Sequence, residues 1–294
     1  MKPNTLKSDF ILFFVAAVWG LAFVAQRVGM EHIGPFAFNG IRFALGGLSL
    51  LPIIIFKKSP SAKPRNGLLQ AGLISGVFLF FGISFQQVGI VYTTAGKAGF
   101  ITGLYVVIVP FLNLFFKQDK TSAGTWTGAV LASIGMYLLC VTRGVSINSG
   151  DVLVLISAVC FAFHLIIIGR LSNRFNTEKL ALVQCFVCAI FSLGIAGFFE
   201  TFILDDIIKV TIPLLYGGIL SVGVAYSLQI YGQKNSPASH AAIILSLESA
   251  VAAIGGWLIL NEILTNRAIV GCILMLSGML VSQLFMIRVQ KRHH

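Results

Sequence analysis

The sequence predicts an all-α integral membrane protein of ten transmembrane helices, arranged as two inverted five-helix repeats. Three features lead there: a charge-poor composition, long uninterrupted apolar runs, and a match of the second half of the chain to the first. Of the 294 residues, 57% are hydrophobic and 11% charged, where a soluble domain carries about 25% charged residues. A hydrocarbon layer of ~30 Å needs about 20 apolar residues per helix, so ten spans take roughly 200 residues and leave short loops. No length remains for a separate soluble catalytic or nucleic-acid-binding domain. The formal charge of +11 is therefore read by position, with the lipid bilayer as the expected partner and no nucleic acid.

Taken in order, the run Phe10–Gln26 follows Lys2 and Lys7 as a signal peptide would, but it continues past the small Ala16 and Ala17 and reads as a retained span. Pro35–Phe56 is the second span and contains Arg42. Asn66–Gly96 is too long for one helix; cut near Val88–Thr93, it supplies the third span and the start of a fourth that ends at Phe116. The fifth to eighth are Thr121–Thr142, Val152–Gly169, Leu180–Phe199 and Val210–Gln233, the ninth is Pro237–Leu260 with Glu248 inside it, and the tenth is Ala268–Ile287. The runs are continuous rather than alternating, which selects helices over a barrel, the other structure that satisfies its backbone in lipid. With the N-terminus inside, fifteen of the 21 Lys and Arg residues fall on the inner side. Four, Arg27, Arg143, Lys209 and Arg267, fall outside, and Arg42 and Lys97 lie within spans. This bias places both termini in the cytoplasm.

All five cysteines, Cys140, Cys160, Cys185, Cys188 and Cys272, lie in apolar stretches. Cys185 and Cys188 form a CxxC with no second CxxC or paired His, so packing is the expected role. No metal and no cofactor is expected.

Shifting the chain by 143 residues pairs Ser84 with Ser227, Gln86 with Gln229, Gly89 with Gly232, Ile101 with Ile244 and Leu104 with Leu247. It also pairs Gly128 with Gly271 and Gly135 with Gly278, and sets Asp119 against Glu262. At a shift of 142 Asp9 meets Asp151 and Trp19 meets Phe161. The expected units are residues 1–146 and 147–294. Five spans per unit is an odd number, so the second enters the membrane from the opposite side, and repeats of that kind build transporters with a site at their interface. The alternative is a duplication kept only for packing. The glycine pairs lie seven residues apart on one helical face and suit close helix approach, as do Gly72 with Gly76 and Gly99 with Gly103.

Glu248 is the one acid deep in a span. An ionised carboxylate there costs at least ~2.5 kcal/mol, so it must face a cavity, pair with a cation or be protonated. Its repeat counterpart is Tyr105. Arg42 carries a fork suited to carboxylate or phosphate, with substrate contact and a structural tie as open readings. Lys97 and its counterpart His240 are further candidates, while His164 is expected to be a hydrogen-bonded packing residue. Trp19 sits in mid-span and, with Tyr105, Tyr226, Gln86 and Gln229, is expected to line a cavity, aromatic packing being the alternative. Trp126 and Trp257 read as belt residues.

Several motifs resemble the drug/metabolite transporter superfamily, in particular its ten-span EamA-type branch. They are Ala16–Gly20, Ile41–Phe43, Thr93–Ala98, Leu245–Glu248 and Asn261–Glu262 leading into Gly271 and Gly278. The family often has proline after the intramembrane glutamate; Ser249 stands here, which puts a helix break at that site in question. The resemblance implies a bacterial inner-membrane secondary transporter that moves a small metabolite, an amino acid or related solute, or a drug, by alternating access and as an exporter. Glu248, Arg42, Trp19, Tyr105, Lys97, Tyr226, Gln86 and Gln229 are the expected substrate-binding residues, with proton coupling at Glu248. A lipid flippase or channel of the same fold is the alternative. An enzyme is not expected, because no clustered catalytic or metal motif accompanies Glu248.

Overall fold

The structure, a computed structural model, describes residues 3–56, 66–93, 95–115, 122–140, 148–259, 263 and 265–292. The Asp119–Glu262 match, the Asn261–Glu262 motif and several basic residues (Lys2, Lys57, Lys58, Lys63, Arg65, Lys117, Lys120 and Arg143) lie outside those residues.

The chain runs through α1 (Pro3–Gly29), α2 (Pro35–Phe56), α3 (Leu68–Tyr92), α4 (Ala95–Gly103), α5 (Tyr105–Phe115) and α6 (Ala123–Cys140). There follow α7 (Ser149–Leu171), α8 (Thr177–Phe199), the short α9 (Leu204–Lys209) and α10 (Thr211–Leu215), and a π-helical segment, Tyr216–Val224. The last elements are α11 (Ala225–Gly232), α12 (Ala238–Leu245), α13 (Glu248–Ile259) and α14 (Asn266–Arg292). No strand occurs among the described residues. Nine helical stretches there are long and apolar enough to cross a membrane, with Lys97–Phe115, Thr211–Gly232 and Ala238–Ile259 each spanning more than one element. The chain is thus a multi-pass membrane protein. α6 is a further helix of 18 residues. The third helix ends at Tyr92, within the cut expected near Val88–Thr93 and four residues past the span end expected at about Val88.

Helix starts are set by local polar groups. Asn148 caps α7 by accepting from the Asp151 amide (2.9 Å), while the Asp151 carboxylate accepts from the Asn148 amide (2.9 Å). The Glu200 carboxylate accepts from the Phe36 and Ala37 amides at 3.0 and 2.7 Å, placing negative charge at the start of α2.

The fourth and ninth stretches are each broken, where the sequence suggested single helices. At the first break Leu104 donates to Ile101 (3.2 Å) and Val107 to Leu104 (3.0 Å); at the second, Leu247 donates to Ile244 (3.2 Å) and Ser249 to Ser246 (3.1 Å). These three-residue spacings tighten the helix locally, and the first bond of each break, Leu104 to Ile101 and Leu247 to Ile244, joins residues that the 143-residue shift pairs. The break before Glu248 forms without the proline, and the Ser249 hydroxyl donates to the Gly99 carbonyl oxygen of α4 at 2.7 Å.

Helix directions follow from close approaches. A Cβ added at Gly128 would lie 2.6 Å from the Gly278 carbonyl oxygen, and one at Gly135 2.5 Å from that of Gly271, so α6 and α14 cross antiparallel with backbones in contact. α2 and α8 also run antiparallel, with Gly40 against Leu193 and Gly47 against Phe186. α3 packs on α7 and α8, and α1 on α11, α12 and α13. The outward faces are apolar, with Phe10, Phe56, Phe115 and Phe198 exposed; between the helices lie buried polar groups around a central cavity.

Candidate functional site

The face of α1 formed by Trp19, Ala22, Phe23 and Gln26, spaced at helical period, opens onto a cavity of about 50 Å³ in the middle of the bundle. That volume holds a few water molecules. Seven of the eight residues expected at the site line it: Trp19, Arg42, Gln86, Tyr105, Tyr226, Gln229 and Glu248. The lining also brings together residues equivalent by the sequence shift, Trp19 with Phe161, Gln86 with Gln229, and Tyr105 with Glu248.

The last pair is in direct contact. The Tyr105 hydroxyl donates to Glu248 Oε1 at 2.9 Å, with both side chains buried. Each is the first residue of the helix that follows a break, so the two breaks converge on one hydrogen bond. At the start of α13 the carboxyl group also meets the positive end of a helix dipole.

Arg42 is 3% exposed, and its Nε donates to Asn39 Oδ1 one turn earlier at 3.0 Å. Its guanidinium carbon lies 5.5 and 5.4 Å from the ring centroids of Phe38 and Phe43, a cation–π setting. No carboxylate among the described residues pairs with it, and a structural tie to Glu248 is not formed. The cavity therefore holds a guanidinium and a carboxyl group that are not bonded to each other.

Trp19 donates from Nε1 to the carbonyl oxygen of Ser221 in the π-helical segment (3.0 Å), and its ring centroid is 4.9 Å from that of Tyr226. Aromatic packing and cavity lining coexist here. Gln86 Nε2 donates to Thr102 Oγ1 (3.1 Å) and Gln229 Nε2 to Gln233 Oε1 (3.1 Å). The buried side-chain carbonyl oxygens of Gln229 and Gln26 have no partner among the described residues, leaving acceptors beside the cavity for water or ligand.

Lys97 does not line the cavity. It stands eight residues before Tyr105, about 12 Å at 1.5 Å per residue, and pairs with Asp151 Oδ2 at 2.5 Å. His164 both lines the cavity and bonds through Nε2 to Gln184 Oε1 (3.1 Å). Gln26, Thr102 and Ser221 were not singled out by sequence, and Phe161 was named only as the repeat counterpart of Trp19 and not as a cavity residue. Gln26 could have been found by extending the Trp19 face two turns. Cys185 and Cys188 are buried against Phe43 and Leu79.

The family model described as EamA-like transporter family matches the chain twice, over residues 6–141 and 148–284. A protein of Archaeoglobus fulgidus named an uncharacterized transporter is 33% identical over 280 residues, covering 95% of this chain and 86% of that one. The Escherichia coli protein YedA, named an inner membrane transporter, is 29% identical over 158 residues, about half of each chain. One solved crystal structure superposes with a TM-score of 0.81 at 16% identity, covering 95% of this chain and 99% of that one, which is likeness of fold. With both halves of the sequence matched and a relative aligned along nearly its whole length, the chain belongs to the EamA-like transporter family.

Proposed function

We propose that the protein is a secondary carrier that exports a small metabolite, an amino acid or related solute, or a drug, across the inner membrane by alternating access. In this reading residues 1–146 and 147–294 are inverted repeats of five spans, α6 being the fifth of the first unit, and both termini are cytoplasmic. The observation that carries it is the Tyr105–Glu248 hydrogen bond (2.9 Å). A duplication with a two-fold axis brings equivalent residues together only near that axis, and this contact lies on the central cavity, where inverted-repeat carriers place their sites. The antiparallel crossings of α6 with α14 and of α2 with α8, each joining equivalent spans, support the same relation.

Within the cavity, Arg42 binds an anionic group of the cargo, Trp19 and Tyr226 cover its apolar part, and Gln86 and Gln229 meet its polar edges. Glu248 exchanges a proton with the transported solute, and Tyr105 positions its carboxyl group. The test is counterflow in proteoliposomes with radiolabelled amino acids and cationic drugs. Saturable exchange that Arg42→Ala abolishes is expected; its absence across these solutes overturns the reading, and non-saturable flux points to a channel. Glu248→Gln should retain exchange and lose its dependence on a pH gradient. An unchanged pH dependence removes Glu248 as the proton site.

A further inference from the structure

Two charge pairs, one buried and one with a half-buried lysine, stand outside the cavity, and the repeat makes them counterparts. Lys97 at the start of α4 pairs with Asp151 at the start of α7, at 2.5 Å. His240 at the start of α12 lies 3.2 Å, Nε2 to Oδ1, from Asp9 near the start of α1. The 143-residue shift carries Lys97 onto His240, and the 142-residue shift carries Asp9 onto Asp151. Each pair joins one half of the chain to the other. Arg27, late in α1, donates to the Ile90 carbonyl oxygen late in α3, and Gly89 of α3 packs on Gly150 and Val154 at the start of α7. Asp151 therefore lies at the end of the bundle opposite Asp9, with the cavity between the two pairs.

The surroundings differ. Asp151 is fully engaged, accepting also from Thr93 Oγ1 (2.8 Å) and the Asn148 amide (2.9 Å). Asp9 accepts from Gln283 Nε2 of α14 at 3.3 Å, and its Oδ1 and His240 Nε2 sit at ion-pair distance without an aligned hydrogen bond. His240 Nδ1 meets Ser282 Oγ of α14 at 2.8 Å, and the adjacent Ser239 accepts from Asn113 of α5 (2.8 Å). The groups the imidazole meets are thus the Asp9 carboxylate from α1 and the uncharged Ser282 hydroxyl from α14. No other ion pair to either residue occurs among the described residues.

We propose that Lys97–Asp151 and His240–Asp9 are the two latches of the transport cycle, one closing each end of the cavity. This rests on the alternating-access reading above. Opening either end pulls a carboxylate away from its partner across the two halves, and a buried charge left alone is costly unless water enters. His240–Asp9 closes the end that carries the N-terminus, cytoplasmic in that reading, and Lys97–Asp151 closes the other.

Hydrogen exchange of the purified full-length protein tests this. Asp151→Asn should speed exchange at the starts of α4 and α7 and slow it at the starts of α1 and α12, by about fivefold or more, the lower end of allosteric coupling between sites. Asp9→Asn should do the reverse. Faster exchange confined to the mutated end, the signature of a merely structural pair, overturns the proposal. His240→Ala, which removes the other partner of the same pair, should reproduce the Asp9→Asn pattern; exchange unchanged at the starts of α1 and α12 in that variant overturns the latch at this end. A reciprocal response without counterflow sinks the transport reading and leaves the latches standing; counterflow with only local responses does the opposite.

Discussion

At the scale of single residues, the cavity is organised by two groups whose burial has to be compensated. Glu248 receives its hydrogen bond from Tyr105, and Tyr105→Phe deletes the donor while keeping the ring. Leaving a buried polar group unpaired costs about 1–3 kcal/mol, so the variant should melt at a lower temperature in detergent, read by fluorescence-detected size exclusion. Arg42 makes its hydrogen bond through Nε to Asn39. Arg42→Lys should fail to restore cargo affinity, since a point charge cannot reproduce a planar fork; a loss of roughly 10-fold or more, the scale of one charged hydrogen bond, should appear in counterflow half-saturation. Glu248 and Arg42 were legible in the sequence because charge at membrane depth is costly and stands out. Gln26 and Thr102 were not, because uncharged polar residues occur on many faces of such helices and only contact reveals which face they serve.

At the scale of elements, the helix breaks and the glycine crossing differ in how far local sequence reveals them. Ser246 and Leu247 contain no helix breaker, yet the chain tightens there and at the equivalent Leu104. The cause lies in packing, with Ser249 tied to the Gly99 carbonyl of another helix. The α6–α14 crossing, by contrast, was foreshadowed by glycines seven residues apart. Gly278→Val should destabilise by about 1–3 kcal/mol, the usual cost of overpacking, because its first added carbon already meets the Gly128 carbonyl oxygen at 2.6 Å. Gly194→Ala in α8, where no described residue lies within 4 Å of an added Cβ, should raise stability by about 0.5–1 kcal/mol through the helix preference for alanine. The two variants measured side by side separate steric contact from glycine content.

For the molecule as a whole, the proposed topology makes a prediction independent of cargo. The C-terminus follows a basic segment, Arg288, Lys291 and Arg292, and in the proposed topology it is cytoplasmic, on the side that Lys and Arg favour. A C-terminal green fluorescent protein fusion should fluoresce and an alkaline phosphatase fusion should be inactive; the reverse pair of results would invert the orientation and exchange the two latches.

The all-helical membrane class was determined by sequence, because hydrocarbon demands apolar runs of a set length. Which polar residues meet was decided by tertiary structure alone. Lys97 and Tyr105 stand eight residues apart, yet one joins Asp151 and the other Glu248. Hydropathy measures how deep a residue can lie, but its partner depends on how each helix is rotated and which distant helix packs beside it, and those are settled only when the whole bundle closes.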